Sequence, residues 1–132
     1  GARKPDNLAI YPEIRLAQWQ PRTLGLSLAS WALYLIGYEF AFRGYLLFAC
    51  TRAFGPWPAI AINTVIYSLV HALKNRREAL GAIPLGILLC IIALRTGSII
   101  VPVVAHIAMA FSNNWFSLKY HQEMRLAPRG KP

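Results

Sequence analysis

Four apolar stretches run along the chain, separated by short breaks. Residues 53–73 carry no charge if histidine is counted as neutral, and neither do residues 96–118. Residues 79–94 form a shorter uncharged run, and 23–51 is interrupted only by Glu39 and Arg43. A helix needs about 20 apolar residues to cross a bilayer. Two runs meet that length outright. The third meets it only with its flanks, and the first only if two charges are tolerated inside. The breaks hold Gly55, Pro56 and Pro58, then Lys74-Asn75-Arg76-Arg77, then Thr96-Gly97-Ser98, the residue types that end helices. The pattern predicts an all-α fold, a polytopic transmembrane helix bundle with about four membrane helices near 24–50, 56–74, 79–97 and 99–120. It divides the chain into a juxtamembrane cytoplasmic or interfacial segment (1–23), an intramembrane core (24–121) and a basic cytoplasmic tail (122–132).

Composition supports this division. Of 132 residues, 56% are hydrophobic and 14% charged, well below the quarter or so expected of a soluble domain. The net charge of +9 would suit nucleic acid, but its distribution argues against that partner. Arg3, Lys4, Arg15 and Arg22 precede the first helix, and Lys74, Arg76 and Arg77 separate the second from the third. Lys119, Arg125, Arg129 and Lys131 follow the fourth. Those eleven of the fourteen cations fall on one side of an even-span topology. The positive-inside rule makes that side the cytoplasm, giving a multi-pass inner-membrane protein with both termini cytoplasmic. The basic face would meet anionic lipid headgroups. Tyr11 and Trp19 before the first span read as interface anchors. Cys50 and Cys90, both in apolar runs, read as small core residues. Four spans with no initiator Met predict a fragment preceded by further helices.

Charges inside a span are costly and turn toward the protein interior. Glu39 and Arg43, four apart, share a helix face. They form either an ion pair that holds the bundle or an acid poised between burial, which favours protonation, and a neighbouring cation, which opposes it. His71 lies near the end of the second helix, with Tyr67 one turn earlier. His106 lies deeper, in the fourth helix. Asn113 returns to within about 20° of the His106 face on a 3.6-residue period, whereas Asn114 is about 80° away. No His-Glu-x-x-His, Gly-x-Ser-x-Gly or phosphate-loop pattern is present. Two chemistries remain open. Glu39 activates water as a general base, with the histidines and Asn113 stabilising the oxyanion. Alternatively, Glu39, His71 and His106 hold a zinc ion that activates the water.

The stretch Tyr38-Glu39-Phe40-Ala41-Phe42-Arg43-Gly44 resembles the first motif of the CPBP family, the CAAX prenyl proteases and bacteriocin-processing or self-immunity (Abi) proteins. That motif reads Glu-Glu-x-x-x-Arg, with Phe before and Gly after the arginine. Tyr67 to His71 is similar to the second motif, an aromatic four residues before histidine. Arg95-Thr96-Gly97-Ser98 followed by His106 is similar to the third. The resemblance covers about 38–114. It implies a helical intramembrane bundle that cleaves a membrane-associated protein or peptide, with Glu39, Arg43, His71 and His106 at its site. Tyr38 stands where the family has its first glutamate, and Ala110 where it often has asparagine. A subgroup of the family is expected to carry a lysine and a glutamate soon after the second-motif histidine, which Lys74 and Glu78 match. A non-catalytic immunity or partner-binding protein on the same scaffold is the alternative, and a transporter fragment with Glu39 as proton carrier is a third.

An upright second helix leaves His71 near the cytoplasmic end, about 12 Å along the axis from the level of Glu39 and His106. Convergence then requires helix tilt or a water-filled cavity.

Overall fold

In the computed structural model, which describes residues 4–127, the four apolar stretches are four long helical segments. A short helix α1 (Pro5–Leu8) and a two-residue strand β1 (Gln18–Trp19) come first. Helix α2 (Pro21–Glu39) then runs without a break through a π-helical segment (Phe40–Leu46) into α3 (Leu47–Phe54). Helices α4 (Pro56–Ala72), α5 (Arg76–Thr96) and α6 (Ile100–Tyr120) follow, and β2 (Arg125–Leu126) closes the described chain. The expected segments are therefore recovered. The first is longer at both ends than expected, a 34-residue helix over Pro21–Phe54. That helix and Arg76–Thr96 are long and apolar enough to cross a membrane.

The breaks have local causes. Gly55 (φ 82°) ends α3 and starts α4, and Pro56 follows at a position where a helix needs no N–H. Gly97 (φ 63°) closes α5 in the left-handed conformation that glycine adopts without penalty. Around it, Thr96 Oγ1 donates to the Ile92 carbonyl, and Ser98 Oγ accepts from the Ile100 N–H at the start of α6. The Arg95-Thr96-Gly97-Ser98 motif is thus the turn that joins α5 to α6. At the other end of α5, Asn75 Oδ1 accepts from the Glu78 N–H at 2.9 Å, while its amide donates to Glu78 Oε1 at 3.1 Å. This is a reciprocal cap of the capping-box kind. It gives Glu78 a structural role that the spacing alone did not reveal.

The described chain forms two compact units. One comprises Gly1–Tyr34 with His106–Pro132, and the other Leu35–Ala105. In the first, β1 and β2 pair in parallel, Gln18 opposite Arg125 and Trp19 opposite Leu126. Trp19, Leu118 and Met124 pack as its core, with Leu24 against them. Asn7 Nδ2 donates to Ser117 Oγ at 2.7 Å. Arg15 donates to the carbonyls of Leu8 and Ala9 and meets His121 Nε2 at 2.9 Å.

In the second unit α4 packs along α5 and against α3. Leu47, Ala59, Ile60, Cys90 and Ala93 are its apolar core, with Cys50 against them, so both cysteines are packing residues as expected. Its polarity is inverted relative to a soluble domain. Glu39, Arg43 and Asn63 are 0% exposed, whereas Leu73 is 88%, Trp57 74% and Tyr45 72% exposed. Such an apolar exterior suits hydrocarbon rather than water.

Removing the α5 cap tests this local account. Asn75→Ala is expected to destabilise the protein by about 1 kcal/mol, and Asn75→Asp to recover most of that. Thermal melts in detergent would check it, and equal melting of Asn75→Ala and wild type would contradict it.

Candidate functional site

Within the Leu35–Ala105 unit, Arg43 Nη1 donates to Glu39 Oε1 at 2.9 Å, and neither side chain has any exposed surface. The i, i+4 spacing delivers this contact from one helix face, as the sequence predicts. The motif lies at the α-to-π junction: Glu39 is the last α-helical residue, and Arg43 sits in the middle of the π-helical segment. A π turn widens the ladder by one residue, and such turns are frequent at functional sites. Here the Leu47 N–H reaches back five residues to the Phe42 carbonyl. Asn63 Nδ2, from α4, donates to the same carbonyl at 2.6 Å. Asn63 Oδ1 in turn accepts from the Cys90 thiol at 3.2 Å. The carbonyl exposed by the widened turn is therefore held by a buried amide that α5 fixes in place.

Tyr67 joins the second motif to the first. Its ring lies 4.0 Å from the Arg43 guanidinium carbon and 4.4 Å from the centroid of the His71 imidazole. A desolvated cation over an aromatic face gains about 2 kcal/mol. Tyr38, at the position of the family's first acid, stacks on Phe42 at 4.4 Å and lies 6.0 Å from Tyr67. Aromatic rings thus surround the guanidinium on this side. His71 is half-buried, and its Nδ1 lies 2.9 Å from the Tyr67 carbonyl. Gly86 on α5 makes room for Tyr67, since a Cβ there would lie 3.1 Å from Tyr67 Cδ1 and 3.5 Å from Thr64 Cγ2. Arg43 Nε and Nη2 and Thr64 Oγ1 are buried with no hydrogen-bond partner. The site therefore retains polar capacity that water or a bound group could satisfy.

Of the residues singled out in the sequence, this unit brings together Glu39, Arg43 and, through Tyr67, His71. The bridging residue lies one turn before His71, so Tyr67 rather than His71 is level with Arg43. This answers part of the axial offset expected above. His106 and Asn113 lie on α6 in the other unit, both half-buried. Among the described residues no group of three or more His, Cys, Asp or Glu side chains could hold a metal ion. Asn63 and Gly86 were missed in the sequence. The signal for Asn63 was its spacing, because Asn63, Tyr67 and His71 recur every four residues along α4 and share one face.

A charge pair sealed inside apolar helices, joined by an aromatic side chain to a histidine, is the kind of group that membrane-embedded enzymes carry. The family model of the type II CAAX prenyl endopeptidases, described as Rce1-like, matches residues 19–112. The chain belongs to that family, and with its apolar helices it is a membrane protein of the CAAX-protease type. No curated protein matches the chain. No solved structure matches it either.

Two substitutions test the packing of this site. Arg43→Met strands the buried Glu39 charge and is expected to cost about 3–5 kcal/mol, whereas Glu39→Gln/Arg43→Met together should recover much of that loss. Denaturation of the single and double variants checks it, and a double variant no more stable than Arg43→Met would contradict it. Gly86→Ala is expected to cost about 1–3 kcal/mol, because Tyr67 is already packed against Arg43 and has little room to yield. A melting temperature unchanged by Gly86→Ala would show that the ring can move.

Proposed function

We propose that the protein is an intramembrane endopeptidase that cleaves a peptide bond of a membrane-associated substrate near the bilayer surface. The observation that carries this reading is the unbroken series Glu39, Arg43, Tyr67 and His71 inside apolar helices. Burying such a series is costly, and intramembrane ionisable residues are functional by default. Glu39 takes a proton from a water molecule, and the water oxygen bonds to the scissile carbonyl carbon. The tetrahedral oxyanion is stabilised by His71. Collapse breaks the C–N bond, and the leaving amine takes the proton back from Glu39. Arg43 keeps the carboxylate oriented and tunes its affinity for the proton. In this reading all four long helices cross the membrane, with both ends and the Lys74–Arg77 loop on the cytoplasmic side.

One observation favours the second reading, a non-catalytic protein on the same scaffold. Tyr38 replaces the family's first acid, and the remaining glutamate is fully buried against Arg43. Turnover separates the two. In proteoliposomes given a farnesylated peptide ending in a CAAX sequence, Glu39→Gln should lower cleavage by about 10²–10⁴-fold, the usual contribution of a general base. Cleavage undiminished by Glu39→Gln would remove the general-base role. A wild-type chain that is folded but cleaves no faster than protein-free proteoliposomes would favour the non-catalytic reading.

A further inference from the structure

The buried residues of the long first helix are Leu35, Glu39, Arg43 and Leu47, a strict four-residue spacing. On a continuous α-helix each step of four residues overshoots a full turn by about 40°. Leu47 would then point about 120° away from Leu35. The extra residue of the π-helical segment Phe40–Leu46 takes up about 100° of that drift, the rotation of one residue. The widened turn is therefore what lets Glu39 and Arg43 share one buried face with Leu35 before them and Leu47 after them.

Reversion to a plain α-helix would return the Phe42 carbonyl to the Leu46 N–H and rotate Glu39 by about 100° relative to α3. In the structure that carbonyl instead accepts from the Leu47 N–H and from Asn63 Nδ2 of α4, the latter at 2.6 Å. Two donors fill its acceptor capacity. The Phe42 carbonyl and the Arg43 N–H belong to one planar peptide unit. The amide that holds the carbonyl thereby fixes the plane from which the Arg43 side chain departs, and Arg43 Nη1 reaches Glu39 Oε1 at 2.9 Å. The Asn63 amide is itself held in one orientation. Its Oδ1 accepts from the Cys90 thiol at 3.2 Å, and both residues are 0% exposed. A flipped amide would set its oxygen against the Phe42 oxygen, two acceptors with no proton between them.

We propose that Asn63 is a positioning residue of the proteolytic site: it keeps the turn wide and Arg43 seated on Glu39, and Cys90 orients its amide. The catalytic consequence rests on the protease reading, whereas the seating of the pair does not. Asn63 touches neither the attacking water nor the substrate in that reading and acts through the Phe42–Arg43 peptide. Its loss therefore falls on the chemical step and leaves substrate binding alone. A displacement of about 1 Å in a reacting group can cost about 10²-fold in rate.

The test has two arms, both on the full chain. In proteoliposomes given the farnesylated CAAX peptide, Asn63→Leu should lower kcat about 10–10²-fold with KM unchanged. Cys90→Ala should lower kcat about fivefold, the worth of one net hydrogen bond. Cys90→Ser, whose hydroxyl still donates to Asn63 Oδ1, should restore it. In the second arm, melting shifts of Glu39→Gln, Arg43→Met and the double variant give the coupling within the pair, and adding Asn63→Leu should cut that coupling to less than about half. Wild-type kcat in a folded Asn63→Leu protein would overturn the proposal, as would a raised KM at wild-type kcat or an undiminished coupling. A wild type that cleaves no faster than protein-free proteoliposomes would overturn the protease reading instead, and the coupling arm would still decide whether Asn63 seats the pair.

Discussion

A carboxylate and a guanidinium carried separately into apolar surroundings would each cost several kcal/mol. Carried as a pair 2.9 Å apart on one helix face, they compensate each other, and the surrounding architecture follows from that requirement. Glu39 closes α2 and Arg43 sits in the π turn that follows. Neither can be lost alone without stranding the other. The pair therefore fixes the identity of the first helix more firmly than its hydrophobicity does.

The neighbouring elements serve the pair. A π turn in the ladder leaves the Phe42 carbonyl with capacity beyond its own helix, and Asn63 of α4 takes it up. Cys90 of α5 then holds Asn63, so three segments are tied to one carbonyl. Tyr67 covers the guanidinium and contacts the imidazole of His71 with the same ring. Gly86 is the concession that α5 makes to that ring. Packing and electrostatics are coupled here, because a methyl group added at position 86 would press on the cation through the tyrosine.

Much of this was legible in the sequence, for reasons that can be separated. The four helices followed from long uncharged runs and from Pro and Gly breaks, which act locally. The Glu39–Arg43 contact followed from helical periodicity. The π turn was not legible, since no residue type in Phe40–Leu46 marks it and the Asn63 donor that meets its carbonyl comes from another helix. The role of Glu78 was also hidden: a Lys74–Glu78 charge pair and an Asn75–Glu78 cap look alike as a string of letters. Pairing of residues 18–19 with 125–126 was invisible because two-residue strands carry no period. Helical phase selected Asn113 over Asn114 as the partner of the His106 face. In the structure it is Asn114 that enters a cavity wall, since that wall is built from the face bearing Phe111, Trp115 and Leu118. Both residues are polar and adjacent, and only the packing partner distinguishes them.

The central claim is that the buried pair serves chemistry as well as cohesion. Cohesion depends on opposite charges being present, whereas general-base chemistry depends on which position carries the carboxylate. The exchange Glu39→Arg/Arg43→Glu separates the two. Its stability and its cleavage of a farnesylated CAAX peptide should be measured in the same proteoliposomes. The account predicts a protein that melts closer to wild type than Arg43→Met does, yet shows no cleavage above background. Cleavage by the exchanged protein at the wild-type rate would contradict it.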